Sequence, residues 1–192
     1  LLWEIERILT ELKDLDHLPE YLLLENVKTI KAAKHIKDLN QWLDFLKSMG
    51  YANTKCMILN SLDFGVPQDR ERAFIISHLG DTLDVVNKIE AAKKERKFKI
   101  RKFIKSNYKN PIYKLEADIA QLNKTPSRDV MWDINGKKIS NHTIVRTITC
   151  NMDRTHTAAL FKYNGPKGNT NRRLTMREAF LLMGFTEKEY VK

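Results

Sequence analysis

The stretch that most constrains this chain is YLLLENV, residues 21–27. Four apolar residues run together and end on a glutamate and an asparagine, with Pro19 just ahead. A short continuous apolar run of this kind reads as a strand buried on both faces in a parallel sheet. Its neighbours follow a different period. Leu1, Ile5, Ile8, Leu9 and Leu12 fall at helical spacing, and Asp14, Asp16 and Pro19 break the pattern. Ile36, Leu39, Leu43, Leu46 and Met49 predict a second amphipathic helix, with Gly50 placed to end it. YANTKCMILNSLDFG and RAFIISHL then read as two further strands. The order helix, strand, helix, strand, strand predicts part of an open, mainly parallel α/β sheet finished by a hairpin-like pair.

A chain of 192 residues suits one domain or two small ones. At this size roughly 70% of the unfolded surface is buried on folding, so no disulfide is needed to hold a core. No apolar run approaches the ~20 residues of a membrane span, and the first residues carry no signal-peptide pattern. A cytoplasmic protein is expected. Cys56 and Cys150 have no metal-type spacing, and the five histidines are scattered, so no structural metal is expected. Cys56, inside an apolar run, reads as a reduced, buried thiol.

The net charge of +10 is concentrated. Residues 88–114 hold eleven basic side chains against Glu90 and Glu95, a local charge of +9. Such a field attracts polyanions, with nucleic acid the first candidate; the alternative is a solvated lysine-rich face. After Gly80 the chain turns basic and polar, with short apolar stretches (VMWDING, TIVRTITC) between turn signals at Asn135–Gly136 and Asn164–Gly165–Pro166. This predicts a smaller, irregular, β-containing region. LTMREAFLLMGF then predicts a helix, with Thr175 as its cap, Glu178 completing a capping box and Gly184 near its end. The expected organisation is 1–80, 81–171 and 172–192. There is no initiator Met and the first residues lie inside an amphipathic pattern, so a piece of something longer is expected.

Two groups of side chains carry candidate chemistry. Glu25 ends an apolar strand, where open α/β sheets bind ligands and where desolvation would raise a carboxyl pKa. The alternative is a loop carboxylate or a helix N-cap. Gln68, Arg70 and Arg72 are spaced i, i+2, i+4; on an extended backbone they share one face and could grip a phosphate or a base carbonyl. The alternative is a surface strip paired with Asp69 and Glu71.

Taken together, ENV at 25–27, LNSLDFGVPQDRERAFII at 59–76 and RRLTMREAFLLMGF at 172–185 resemble three signature blocks of the DNA cytosine-5 methyltransferase family, in order. LLWEIERIL also resembles the helix that follows the family's catalytic loop. The resemblance implies the C-terminal half of a Rossmann-like methyltransferase sheet (1–80, returning at 172–192) and a small target-recognition domain (81–171). It implies a cytosine flipped out of the duplex, attacked at C6 by a cysteine and methylated at C5 from S-adenosylmethionine.

In this sequence the N3-binding acid would be Glu25. Donating to N3 from an ordinary glutamic acid at neutral pH costs roughly 3.7 kcal/mol, which burial and the bound base would have to offset. Asn26 would fix local backbone. Arg72 would face the cytosine O2, with Arg70 and Gln68 supporting the flipped nucleotide. RTITCNMDRTHTA resembles the base-contacting end of the recognition domain, implying Thr147, Thr149 and Arg154 near DNA. Residues 173–178 would organise that domain.

The departures are large. The glycine-rich cofactor block and the Pro–Cys nucleophile are absent, since Cys56 follows Lys55 and Cys150 follows Thr149. The family's last block would follow Lys192. The cofactor site would then lie mostly outside this chain, which alone should not methylate. The implied partners are double-stranded DNA, an N-terminal half of the enzyme and, in a bacterium, a cognate restriction endonuclease. Two other readings stay open: an inactive DNA-binding specificity subunit or remnant, and a methyltransferase of the same fold acting on RNA.

Overall fold

In the computed structural model the first apolar repeat forms helix α1 (Leu2–Asp14). The structure describes residues 2–80, 84–98, 103, 114–115, 131–132, 144–149, 160–165, 168–172 and 174–190. Cys150, Arg154, Arg173, the Asn135–Gly136 turn and most of the basic run beyond residue 98 lie outside the described residues. Contacts group the chain into two compact units: Leu1–Asn60 with Glu71–Lys93, and Ser61–Arg70 with Lys94–Lys192. This partition differs from 1–80, 81–171 and 172–192.

The first unit holds β1 (Tyr21–Val27), a 3₁₀ turn (Lys28–Lys31), α2 (Ala33–Ser48), β2 (Asn53–Asn60), β4 (Glu71–His78) and α3 (Val85–Ala92). Strand β4 lies between β1 and β2 and pairs antiparallel with both, from Tyr21↔His78 to Val27↔Arg72 and from Asn53↔His78 to Asn60↔Glu71. β1 and β2 therefore run in the same direction, as a helix-linked strand pair should. The hairpin-like pair expected at the end is β2 with β4. In this three-stranded sheet the mainly parallel ladder is not seen, because β4 separates the two strands of like direction.

One face of this sheet is covered. Leu9 of α1, Leu39, Trp42 and Leu46 of α2, and Met49, Tyr51, Ala73 and Ile75 form its core, with Leu22, Leu24, Ile36, Leu43 and Cys56 packed against it. Each leucine or isoleucine among them contributes on the order of 2 kcal/mol through removal from water. Cys56 is a free thiol, only partly buried.

The opposite face departs from expectation. Exposure alternates along β1, and Leu23 is 69% exposed. The reading of a strand buried on both faces is corrected: a run of leucines states that both faces are apolar, not that both are covered. α1 and α2 cover only the face of Leu22 and Leu24.

Gly50 and Gly184 follow their helices with φ of +105° and +100°, so each supplies the left-handed backbone that ends a helix. The second unit begins with a 3₁₀ turn (Ser61–Phe64) and β3 (Gln68–Asp69), and β3 pairs parallel with β7 (Val145–Arg146). It also holds a four-stranded sheet in the order β5 (Lys114–Leu115), β9 (Gly168–Arg172), β8 (Leu160–Gly165), β6 (Met131–Trp132). Helices α4 (Met176–Leu182) and α5 (Glu187–Tyr190) end it. Thr175 Oγ1 accepts from Glu178 N–H at 3.1 Å, and Glu178 Oε2 accepts from Thr175 N–H at 2.9 Å, the expected capping box. A Cβ on Gly184 would stand 2.9 Å from Val66 Cγ2. The third sequence block is thus packed on the Gly–Val–Pro turn of the second.

Tyr51 ties the first unit's loops together: its hydroxyl donates to the Pro19 carbonyl at 2.6 Å, and burial pushes the phenol up from its ordinary pKa. Tyr51→Phe leaves that carbonyl without its donor. A loss of about 1 kcal/mol is expected in urea unfolding followed by tryptophan fluorescence.

Candidate active site

Glu25 is the fifth residue of β1, on the face opposite the core. It sits across from Phe74, and Val27 sits across from Arg72. Side chains alternate along a strand, so Arg72 is on the same face as Glu25 and diagonal to it. The two meet: Arg72 Nε lies 2.9 Å from Glu25 Oε1. Arg72 is 20% exposed and Glu25 48%. The guanidinium also donates from Nη1 to the Glu71 carbonyl at 2.7 Å. Glu71 in turn pairs with Lys28, which follows β1 directly.

The expected desolvation of Glu25 is therefore not met in this chain. Its carboxylate is half exposed and carries an arginine partner instead of an apolar pocket. The reason is the open sheet face described above. Asn26 behaves as expected of a backbone-fixing residue: its Oδ1 accepts from the Val27 N–H at 2.8 Å.

The row Gln68, Arg70, Arg72 does not lie on one continuous strand. β3 ends at Asp69 and β4 begins at Glu71, with Arg70 between them. Gln68 and Arg70 belong to the second unit and Arg72 to the first. Arg70 is partly buried, and its carbonyl accepts from Ser61 N–H at 3.1 Å, closing the 61–70 loop at its base.

Gln68 is 2% exposed. Its Oε1 accepts from Ile148 N–H at 3.3 Å, while Val145 N–H donates to the Pro67 carbonyl at 3.2 Å. Thr147 Oγ1 donates to the Asp69 carbonyl at 2.8 Å, and Arg146 approaches Asp69 at 3.6 Å. Gln68 thus works as a bracket between the loop and residues 145–148. No local signal in the sequence marked this, because the amide that Gln68 Oε1 accepts from lies 80 residues further along. Thr149 is exposed. Among the described residues no group of His, Cys, Asp and Glu is arranged to hold a metal, and no helix is long and apolar enough to cross a membrane.

Comparisons with known proteins identify the family. The family model for C-5 cytosine-specific DNA methylase matches residues 1–191. The chain is 30% identical over 196 residues to the orphan methyltransferase M.SssI of Spiroplasma monobiae, covering 98% of this chain and 48% of that protein. It is 44% identical over 84 residues to the type II methyltransferase M2.ScrFI of Lactococcus lactis subsp. cremoris, covering 44% of this chain and 22% of that protein. Its fold resembles the crystal structure of S. pombe Dnmt2 methyltransferase with a TM-score of 0.64 at 24% identity, over 94% of this chain and 60% of that one. The chain spans about half the length, or less, of these curated relatives.

If Gln68 is a bracket, Gln68→Ala leaves the Ile148 N–H buried without an acceptor. A destabilisation of roughly 1–3 kcal/mol is expected. Faster hydrogen exchange at Ile148 and Val145 than in the unchanged chain is the accompanying sign, read by mass spectrometry or NMR.

Proposed function

Because the chain belongs to the C-5 cytosine-specific DNA methylase family, we propose that it is part of an enzyme that methylates C5 of a cytosine extruded from duplex DNA. The observation that carries this reading is the Glu25–Arg72 pair at 2.9 Å, an acid and a guanidinium side by side on one sheet face. Cytosine offers a matching edge, with N3 to receive a proton and O2 to accept a hydrogen bond.

The two side chains hold each other at 2.9 Å before a base arrives, and the incoming base changes their partners. Its O2 takes a hydrogen bond from Arg72, and Glu25 turns to N3. Arg72, mostly buried, is held by the Glu71 carbonyl throughout. Charge-assisted bonds at such a site favour the electron-rich ring that forms after attack at C6. The attacking cysteine would come from the enzyme's N-terminal half.

S-adenosylmethionine, when bound, would supply the methyl group. Gly80 and Gly184 offer no open cradle for it, since a Cβ there would crowd His78 or Val66. Its site is proposed to lie mostly outside this chain.

The N-terminal half would cover the exposed side of β1. Tyr21, Leu23 and Val27 are 55%, 69% and 48% exposed, and β1 has β4 as its one neighbour among the described strands. Residues 81–171 are proposed as the target-recognition domain, with Thr149 and Arg154 near DNA, and with Gln68 and Thr147 acting through the strand they hold. Arg70 is proposed to support the extruded nucleotide. A bacterial cytoplasm and a cognate restriction endonuclease are proposed from relatives named as type II methyltransferases.

The test is methyl transfer to duplex DNA by the chain mixed with an N-terminal half of the family. Glu25→Gln should lower the rate by about 10²–10⁴-fold, the usual contribution of a positioned acid. Full activity in that variant would refute the role given to Glu25. Binding of duplex DNA without turnover by the unchanged mixture would favour a DNA-binding module, and preference for transfer RNA over duplex DNA in competition would favour the RNA reading.

A further inference from the structure

We propose that Asp63 is a positioning residue that fixes residues 94–97, within the basic segment, as a docking surface for the phosphate backbone of DNA. The proposal rests on the reading of DNA as substrate.

Two bonds converge on Asp63 from this segment. Its carbonyl accepts from Lys94 N–H at 2.6 Å, and its Oδ1 accepts from Arg96 Nε at 2.5 Å. Asp63 is 21% exposed and Arg96 53%. Lys94 lies over the neighbouring Gly65: a Cβ there would stand 3.4 Å from Lys94 Cδ and 3.9 Å from its Nζ. Lys97, mostly exposed, pairs with Glu95 at 2.5 Å.

The anchor is itself rigid. Val66 N–H donates to the Ser61 carbonyl at 3.2 Å, Ser61 N–H to the Arg70 carbonyl at 3.1 Å, and Ser61 Oγ to the Gln68 carbonyl. The loop that brackets residues 145–148 through Gln68 therefore also holds Lys94 and Arg96.

A bond between a surface arginine and an aspartate adds little stability. Its larger effect here is on order. Residues 88–114 carry a charge of +9 in sequence, and like charges so close repel one another. Fixing residues 94–97 on the 61–70 turn removes part of the ordering cost when a polyanion binds. It also sets which cations meet the duplex first.

The sign of the effect separates this from simple electrostatics. Removing a negative charge beside a cationic surface should, by charge alone, tighten binding to DNA. If Asp63 positions the segment, removing it weakens binding. The experiment measures anisotropy of a short fluorescent duplex with the full chain over a series of salt concentrations. Asp63→Asn, which keeps the side chain's shape, and Asp63→Ala should each weaken binding about 3–10-fold at low salt. The slope of log K against log salt should fall by about one, the mark of a lost phosphate contact. Asp63→Glu should recover most of the affinity. Equal or tighter binding by Asp63→Asn, with the unchanged chain binding normally, would overturn the proposal alone. Failure of the unchanged chain to bind duplex DNA at the lowest salt would overturn the DNA reading and this proposal with it.

Discussion

The antiparallel ladder between β1 and β4 is the constraint on which the first unit depends. Its register puts Val27 across from Arg72 and Glu25 across from Phe74. A shift by one residue would turn Glu25 toward Leu9 and Trp42, and Leu24 toward water. The alternation of Leu22 and Leu24 inward with Leu23 and Glu25 outward therefore does two things. It builds the core, and it delivers the acid to the arginine. Thr54 and Ser77, bonded at 2.9 Å across β2 and β4, help keep the second ladder in step.

The 61–70 loop has the corresponding place in the second unit. Gln68 and Thr147 fasten it to residues 145–148, Val66 packs against Gly184, and Asp63 receives Lys94 and Arg96. Three parts of the chain far apart in sequence are held by ten consecutive residues. Ser61, Asp63, Gln68 and Asp69 each make a bond to the loop's own backbone or to these partners.

Local signals were readable in advance because each depends on residues a few positions apart. The Thr175–Glu178 box, the glycine after α2 and the apolar faces of α1 and α2 are of this kind. The meeting of Glu25 and Arg72 was reached through matched blocks, since no local rule joins positions so distant. What stayed hidden depends on neighbours the local pattern does not contain. YLLL cannot say whether a second layer covers it, so the burial assigned to Glu25 failed. Gln68 reads as a donor for a ligand until the carbonyl of Pro67 and the amides of Val145 and Ile148 are seen beside it. β4 between two strands of like direction also overrides the parallel ladder that helix–strand alternation suggests.

The bare side of β1 has a practical consequence. Among the described strands β1 has β4 as its one neighbour, so its other edge, beside Tyr21, Leu23 and Val27, is a template on which another extended segment can add. Natural edges are blunted by lysine, proline or a bulge, and Tyr21–Val27 contains none of these. As its concentration rises, the polypeptide alone should self-associate through this rim. Synthesis alongside a complementary fragment should keep it dispersed.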